Sequence, residues 1–202
     1  MKDWSLLCLT FPRAPLTGRR IFNLSSNSHA PTLLRACRGK LDGLELKPDG
    51  VTGSTSSLFA MGFRNPFSMA CDESSGLPVV GENGRDSNDQ VIVVTAGSNH
   101  EWPISVTRNL LSTPLFDTGR VTIAPTGVAV RQGKAGKEII VGGFKSGGVY
   151  LLRVGGDGRI VGGPVLLHTF DYGVVSLALD QHGCIIVADP FSISRLEEDG
   201  CR

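Results

Sequence analysis

With 202 residues, 41 % of them apolar and 19 % charged, the chain has an ordinary soluble globular composition and is long enough to bury a sizeable core. A formal net charge of +1 excludes the strong positive field of a nucleic-acid or anionic-membrane binder, and no apolar run approaches the roughly 20 residues that span a bilayer as a helix. Glycine is the outlier: 26 of them, set among short Val/Ile/Leu runs, predict tight turns between strands and not long helices.

Residues 1–40 have no clear periodicity and are an unassigned leader. Arg13, Arg19, Arg20, Arg35, Arg38 and Lys40 crowd into it, as in a solvated or disordered arm or a binding arm. Lys2 precedes the apolar run Trp4 to Phe11, a faint export signal, but Asp3 lies beside it and no small-residue cleavage site follows. Residues 41–202 are expected to form the folded domain. LDGLELKPDG, from Leu41 to Gly50, reads as the ending of an outer strand, and SLFAMGF, from Ser57 to Phe63, as a strand entering the next unit.

Three copies of one pattern follow, starting near Phe67, Gly127 and Val175. Each has a short strand (SMAC, GVAV, SLAL), a polar turn and a β-rich middle strand (LPVVGE, EIIVGG, CIIVAD). A loop and a third strand (QVIVVT, GVYLLR, SISRLE) complete the copy. Strands this short, separated by Gly/Asp turns, make antiparallel meanders. One meander cannot bury both its faces, so copies must pack face to face, as propeller blades do. The fold expected is an all-β propeller of about three to four blades. Closed propellers have about 4–8, so this one is incomplete, with missing blades or a homo-oligomer to complete it.

The five cysteines are odd in number and show no CxxC spacing, so neither a zinc site nor a disulfide framework is expected. Cys71 and Cys184 lie in strand-like runs and read as buried small apolar residues.

Three polar clusters fall where loops would reach one rim of a central channel: Gly62 to Pro66, Glu82 to Asp89, and Gly143 to Gly148. Arg64 has the planar donors to pair with an oxyanion or a carbonyl. The alternative reading is a turn cap, with Asn65 shaping the turn before Pro66. The Asn83–Asp89 stretch suits either an oxygen-ligated cation or a self-satisfied Asx-type loop. Lys145 is a partner for a carboxylate or a solvated turn lysine.

In order along the chain, GFRNPF, a Glu-Asn-Gly loop ending in Asn-Asp, GSNHEWP, TIAPTG and VGGFKSGGVYLLRV resemble the glucose/sorbosone dehydrogenase family. Its members are soluble aldose dehydrogenases that use pyrroloquinoline quinone (PQQ) and fold as six-bladed quinoprotein propellers. The resemblance covers about residues 41–199 and corresponds to the C-terminal part of that domain. It implies Arg64, Asn65, Asn83, Asp89, Thr122 and Lys145 as cofactor contacts, with Arg64 also a candidate substrate or oxyanion contact. It implies the backbone carbonyls of Gly84 and Arg85 as calcium ligands, and an extracytoplasmic location.

The sequence departs from the family pattern at several points. Gln90 and His100 replace a glutamate and a tyrosine common in the family. Gly173 and Val175 stand where the family has an Arg-x-Arg pair holding the cofactor carboxylates, a loss of several kcal/mol if each charged contact is worth about 1.5–3. No residue matches the family's catalytic histidine: His29 lacks its motif, His168 ends an apolar strand and His182 lies in a turn. Two functions follow. One is oxidation of an aldose to a lactone, impaired or inactive in this fragment; the alternative is a non-catalytic propeller that binds a sugar or another partner.

Overall fold

A computed structural model of the chain describes residue 60 and residues 62–100 and 114–198. In the first sheet, β1 (Pro66–Cys71), β2 (Pro78–Glu82), β3 (Gln90–Val93) and β4 (Phe116–Asp117) run in sequence order. The second holds β5 (Pro125–Gly133), β6 (Gly136–Gly143), β7 (Gly148–Val154) and β8 (Ile160–Thr169). The third holds β9 (Ser176–Leu179), β10 (Ile185–Ala188) and β11 (Ile193–Arg195). All pairings are antiparallel. The three sheets are consecutive blades, with their inner strands β1, β5 and β9 side by side. The expected all-β propeller is therefore the observed fold. The first forty residues and LDGLELKPDG lie outside the described residues. No helix among the described residues is long and apolar enough to cross a membrane.

The middle strands explain why the sheets stack. Along EIIVGG, Ile139 and Val141 face the first blade, joining Val79, Val91 and Val128 in one layer. Ile140 points the other way, into a layer with Ala129, Val149, Leu151, Leu177, Ile185 and Val187. A strand buried on both faces loses polar/apolar alternation and reads as a continuous apolar run. A third cluster, Ala60, Phe63, Val80, Ile92 and Val94, covers the far side of the first blade.

Glycine sets how closely the second and third blades approach. Gly127 and Gly142 are register partners in β5 and β6. A Cβ on Gly142 would lie 2.5 Å from Val174 Cγ1, and one on Gly127 would lie 2.7 Å from Leu177 Cγ. The glycine content thus serves blade contact as well as turns.

Ion pairs tie the blades together. Lys137 Nζ on β6 meets the buried Asp72 carboxylate of the first blade at 2.5 Å. Burial alone would push this carboxyl up; hydrogen bonds from Lys137, Ser75 and Ser74 overcome that and hold it well below the usual carboxylate range. Arg131 on β5 pairs with Glu138 at 2.8 Å and with Glu198 at 2.7 Å, and donates to the Gly183 carbonyl in the third blade.

The structure corrects one expectation: Cys71 and Cys184 are both disulfide-bonded. Cysteine spacing reports only pairing that is local in the chain. A disulfide needs Cα atoms within about 4.4–6.8 Å in space, which folding can supply at any separation. Cys184 is also buried, as expected, whereas Cys71 is only partly so.

Candidate functional site

A β-bulge opens the inner strand in each of the first two blades. The β1–β2 register runs Pro66↔Glu82 and then Ser68↔Gly81, so Phe67 is the extra residue. The β5–β6 register runs Pro125↔Gly143 and then Gly127↔Gly142, so Thr126 is the extra residue. Bulges re-aim a side chain at the end of a strand. In the third blade Ser176 pairs with Ala188, which puts Val175 in the corresponding place. Phe67, Thr126 and Val175 line one cavity of about 280 Å³ with Asn83, Ala124 and Phe144. Asn83 and Phe144 each follow the middle strand of their blade, so the cavity is built from repeated positions around the blades' common axis.

A chain of hydrogen bonds holds its wall in place. Asp89, 1 % exposed, accepts at Oδ2 from Thr122 Oγ1 (2.9 Å), Ile123 N (2.7 Å) and Ala124 N (2.8 Å), and at Oδ1 from Gly84 N (2.8 Å). That grip holds Ala124 at a φ of 54°, left-handed backbone that costs a residue with a Cβ about 1–2 kcal/mol. The Ala124 carbonyl accepts from Phe144 N, and the Ile123 carbonyl accepts from Lys145 N. Phe144 is therefore positioned from Asp89 through two loops.

Arg64 braces the loop after β2: its Nη1 donates to the carbonyls of Asn83 (2.9 Å) and Gly84 (2.7 Å). Glu82 is buried and accepts from the backbone N–H of Arg64. Its burial pushes the carboxyl up, against the Arg64 and Asn65 backbone donors and the Arg64 charge. Gly84 is required by space, since a Cβ there would lie 1.8 Å from the Ser87 carbonyl oxygen. Asn65 is exposed, and Arg85 pairs with Asp86 at the surface at 3.5 Å. His100 stacks on Phe63 with ring centroids 4.2 Å apart, beside Ser98 Oγ at 3.0 Å from its Nε2. Burial lowers its pKa to about 4.

Of the residues expected at the site, Asn83 lines the cavity; its buried Oδ1 has no hydrogen-bond partner. Arg64, Asp89 and Thr122 stand behind the wall, Lys145 is exposed beside Phe144, and Asn65, Gly84 and Arg85 do not line the cavity. Among the described residues no three His, Cys, Asp or Glu side chains gather as a metal site. Gly173 has no room for a side chain, because its Cβ would lie 2.2 Å from the Phe144 carbonyl oxygen. Sequence reasoning missed Ala124, Thr126 and Phe144, and took Phe67 only as a blade start. The signal that finds most of them is the repeat itself: the residue just before SMAC, GVAV and SLAL in each blade, and the one just after each middle strand.

Compared with known proteins, the chain matches the family model described as Glucose / Sorbosone dehydrogenase over residues 47–190. Its fold is similar to the PQQ-bound aldose sugar dehydrogenase of Streptomyces coelicolor (TM-score 0.56, 17 % identity), a match that covers 69 % of this chain and 41 % of that one. It is also similar to the soluble aldose sugar dehydrogenase of Escherichia coli in its apo-form (TM-score 0.59, 18 % identity), covering 76 % of this chain and 49 % of that one. A third match is to a glucose dehydrogenase (TM-score 0.55, 19 % identity), covering 69 % of this chain and 45 % of that one. The chain therefore spans less than half the length of these solved relatives. No curated protein matches.

Proposed function

Because the chain belongs to the glucose/sorbosone dehydrogenase family, we propose that it derives from a PQQ-dependent aldose dehydrogenase and acts as a small-molecule binding module that does not oxidise sugar. The observation that carries this reading is the lining of the axial cavity: Phe67, Asn83, Ala124, Thr126, Phe144 and Val175, without one charged side chain. PQQ is a tricarboxylate, and burying carboxylates without charged or donor partners is costly. At the two places where the resemblance puts paired guanidiniums, Val175 is apolar and Gly173 has no space for a side chain. Calcium fits no better, since the Gly84 carbonyl already accepts from the Arg64 guanidinium and a second cation there meets like charge. The residues present do not fit the cofactor pair.

The test is dye reduction by the purified full chain with PQQ, calcium and glucose, alongside calorimetric titration of PQQ. The expected result is no turnover above a boiled control and no PQQ heat. Turnover that falls when Arg64 and Lys145 are both changed to Ala would overturn the proposal.

A second reading is oxidation of an aldose to its lactone by the whole protein. Family membership favours it, as do Arg64 and Lys145, each adjoining a residue of the cavity wall. For location, the disulfide-bonded Cys71 and Cys184 support an oxidising, extracytoplasmic compartment.

A further inference from the structure

We propose that Cys71 and Cys184 belong to two separate disulfides on the two outer faces of the blade stack, Cys184 bonded to Cys201 and Cys71 to an upstream cysteine, Cys8 or Cys37. Both are disulfide-bonded, and they are the two cysteines among the described residues. Strand alternation shows that they are not bonded to each other. Ile185 points from β10 towards the second blade, into the layer with Ile140 and Val149, so Cys184, the residue before it, points away from that blade. Met69 packs on the far layer of the first blade, and Cys71, two residues on in β1, shares its face. The second blade stands between them. With packed sheets about 10 Å apart, roughly 20 Å separates the outer faces. A disulfide allows only about 4.4–6.8 Å between Cα atoms.

Two observations choose Cys201 as the partner of Cys184. The first is the path of the chain. Leu196 N donates to the Ile185 carbonyl at 2.9 Å, which continues the β10–β11 register beyond Ile186↔Arg195. Arg131 Nη1 then donates to both the Gly183 carbonyl (2.9 Å) and Glu198 Oε2 (2.7 Å), so at Glu198 the chain runs beside Cys184. Asp199-Gly200 is a turn signal, and three residues span up to about 10 Å, enough to bring Cys201 back to Cys184. That loop is also the shortest one open to Cys184, and closure costs least for a short loop. The second observation is burial. Cys184 is 1 % exposed on a face where Ala178 and Ile186 are only half-buried, as a sulfur covered by a returning tail would be. For Cys71 the direction is upstream: Ala60 and Phe63 are buried in the layer that Met69 packs on, so the chain enters the first blade across the face of Cys71.

Each bond forms as two thiols give up two electrons and two protons to a disulfide oxidant such as oxidised glutathione. The Cys184–Cys201 loop lies where a propeller sets its next blade, and it acts as a covalent cap against an added blade or a second copy.

The experiment is tryptic mapping of the full chain, produced in an oxidising compartment, alkylated without reduction and read by mass spectrometry. The expected products are Ile160–Arg195 linked to Leu196–Arg202, and Asn65–Arg85 linked to Ala36–Arg38 or Asp3–Arg13, with one alkylated thiol. Asn65–Arg85 linked to Ile160–Arg195, an alkylated Cys201, or a disulfide-linked dimer on a non-reducing gel overturns the proposal. Cys184→Ser, Cys201→Ser and the double variant should lower the melting midpoint by the same amount, about 5–15 °C, because each removes the same bond. A Cys201→Ser midpoint equal to that of the wild type, or losses that add in the double variant, overturns the pairing.

Discussion

The Asp89 carboxylate accepts from four donors on two separate segments, and a side chain without its oxygens strands three backbone N–H groups at once, that of Ile123 buried and those of Gly84 and Ala124 partly so. Asp89→Ala should therefore cost about 2–4 kcal/mol, a fall of roughly 5–15 °C in the melting midpoint for a chain of this size. The cavity wall should loosen with it, because Phe144 loses its support. His100 gives a pH signature. Its folded pKa is about 4, below the ordinary 6.5, so the unfolded chain binds an extra proton between those values. Stability from this residue is complete above about pH 6.5 and is lost as pH falls towards 4. Melting midpoints measured from pH 7 to pH 4 should decline, and His100→Phe should flatten that decline. Asp72, whose pKa is depressed, adds a loss only below about pH 4, the range where unfolded carboxylates protonate.

At the scale of strands, the middle of each blade was the most legible part of the sequence. PVVGE, EIIVGG and IIVA are short apolar runs bounded by turn residues, and all three are central strands. The outermost strands were less legible. β8 is exposed along most of its ten residues, so no alternation marks it, and Gly162, Gly163 and Pro164 interrupt the run. β4 is two residues long. Most of the cavity was hidden because a bulge leaves no trace in composition; it shows only when Pro66-Phe67-Ser68 is laid over Pro125-Thr126-Gly127. The loop network was half visible: the Asn, Gly and Asp of ENGRDSND read as a cation site or a self-satisfied loop, and hydrogen bonding alone showed how fully Asp89 is occupied. Close packing between strands gives a further test. Gly142→Ala places a methyl 2.5 Å from Val174 Cγ1, and overpacking of this kind costs about 1–3 kcal/mol, readable by urea denaturation. Lys137→Ala leaves the buried Asp72 carboxylate without its cation, a loss of about 3 kcal/mol, and circular dichroism melts would show the drop.

Across the whole molecule, the third blade differs from the other two. Its face towards the second blade is closed by Leu177, Ile185 and Val187, while Ile186 pairs with Ala178 and Arg195 on the opposite face, none of them fully buried. Ile193 is 78 % exposed and Phe191 74 % exposed beside it. An apolar patch at a sheet edge favours self-association. Ile193→Lys should raise the concentration at which the chain aggregates, measured by light scattering, and leave the unfolding free energy within about 0.5 kcal/mol of wild type.

Phe67, Thr126 and Val175 occupy equivalent stations at the mouths of successive blades, outside the layers that stack one blade on the next. A substitution at any of them alters what the channel mouth presents while leaving the interior packing in place. Under the proposed binding-module reading, ligand preference can therefore be retuned one blade at a time. A library confined to these three codons would sample new specificities with little penalty in foldability.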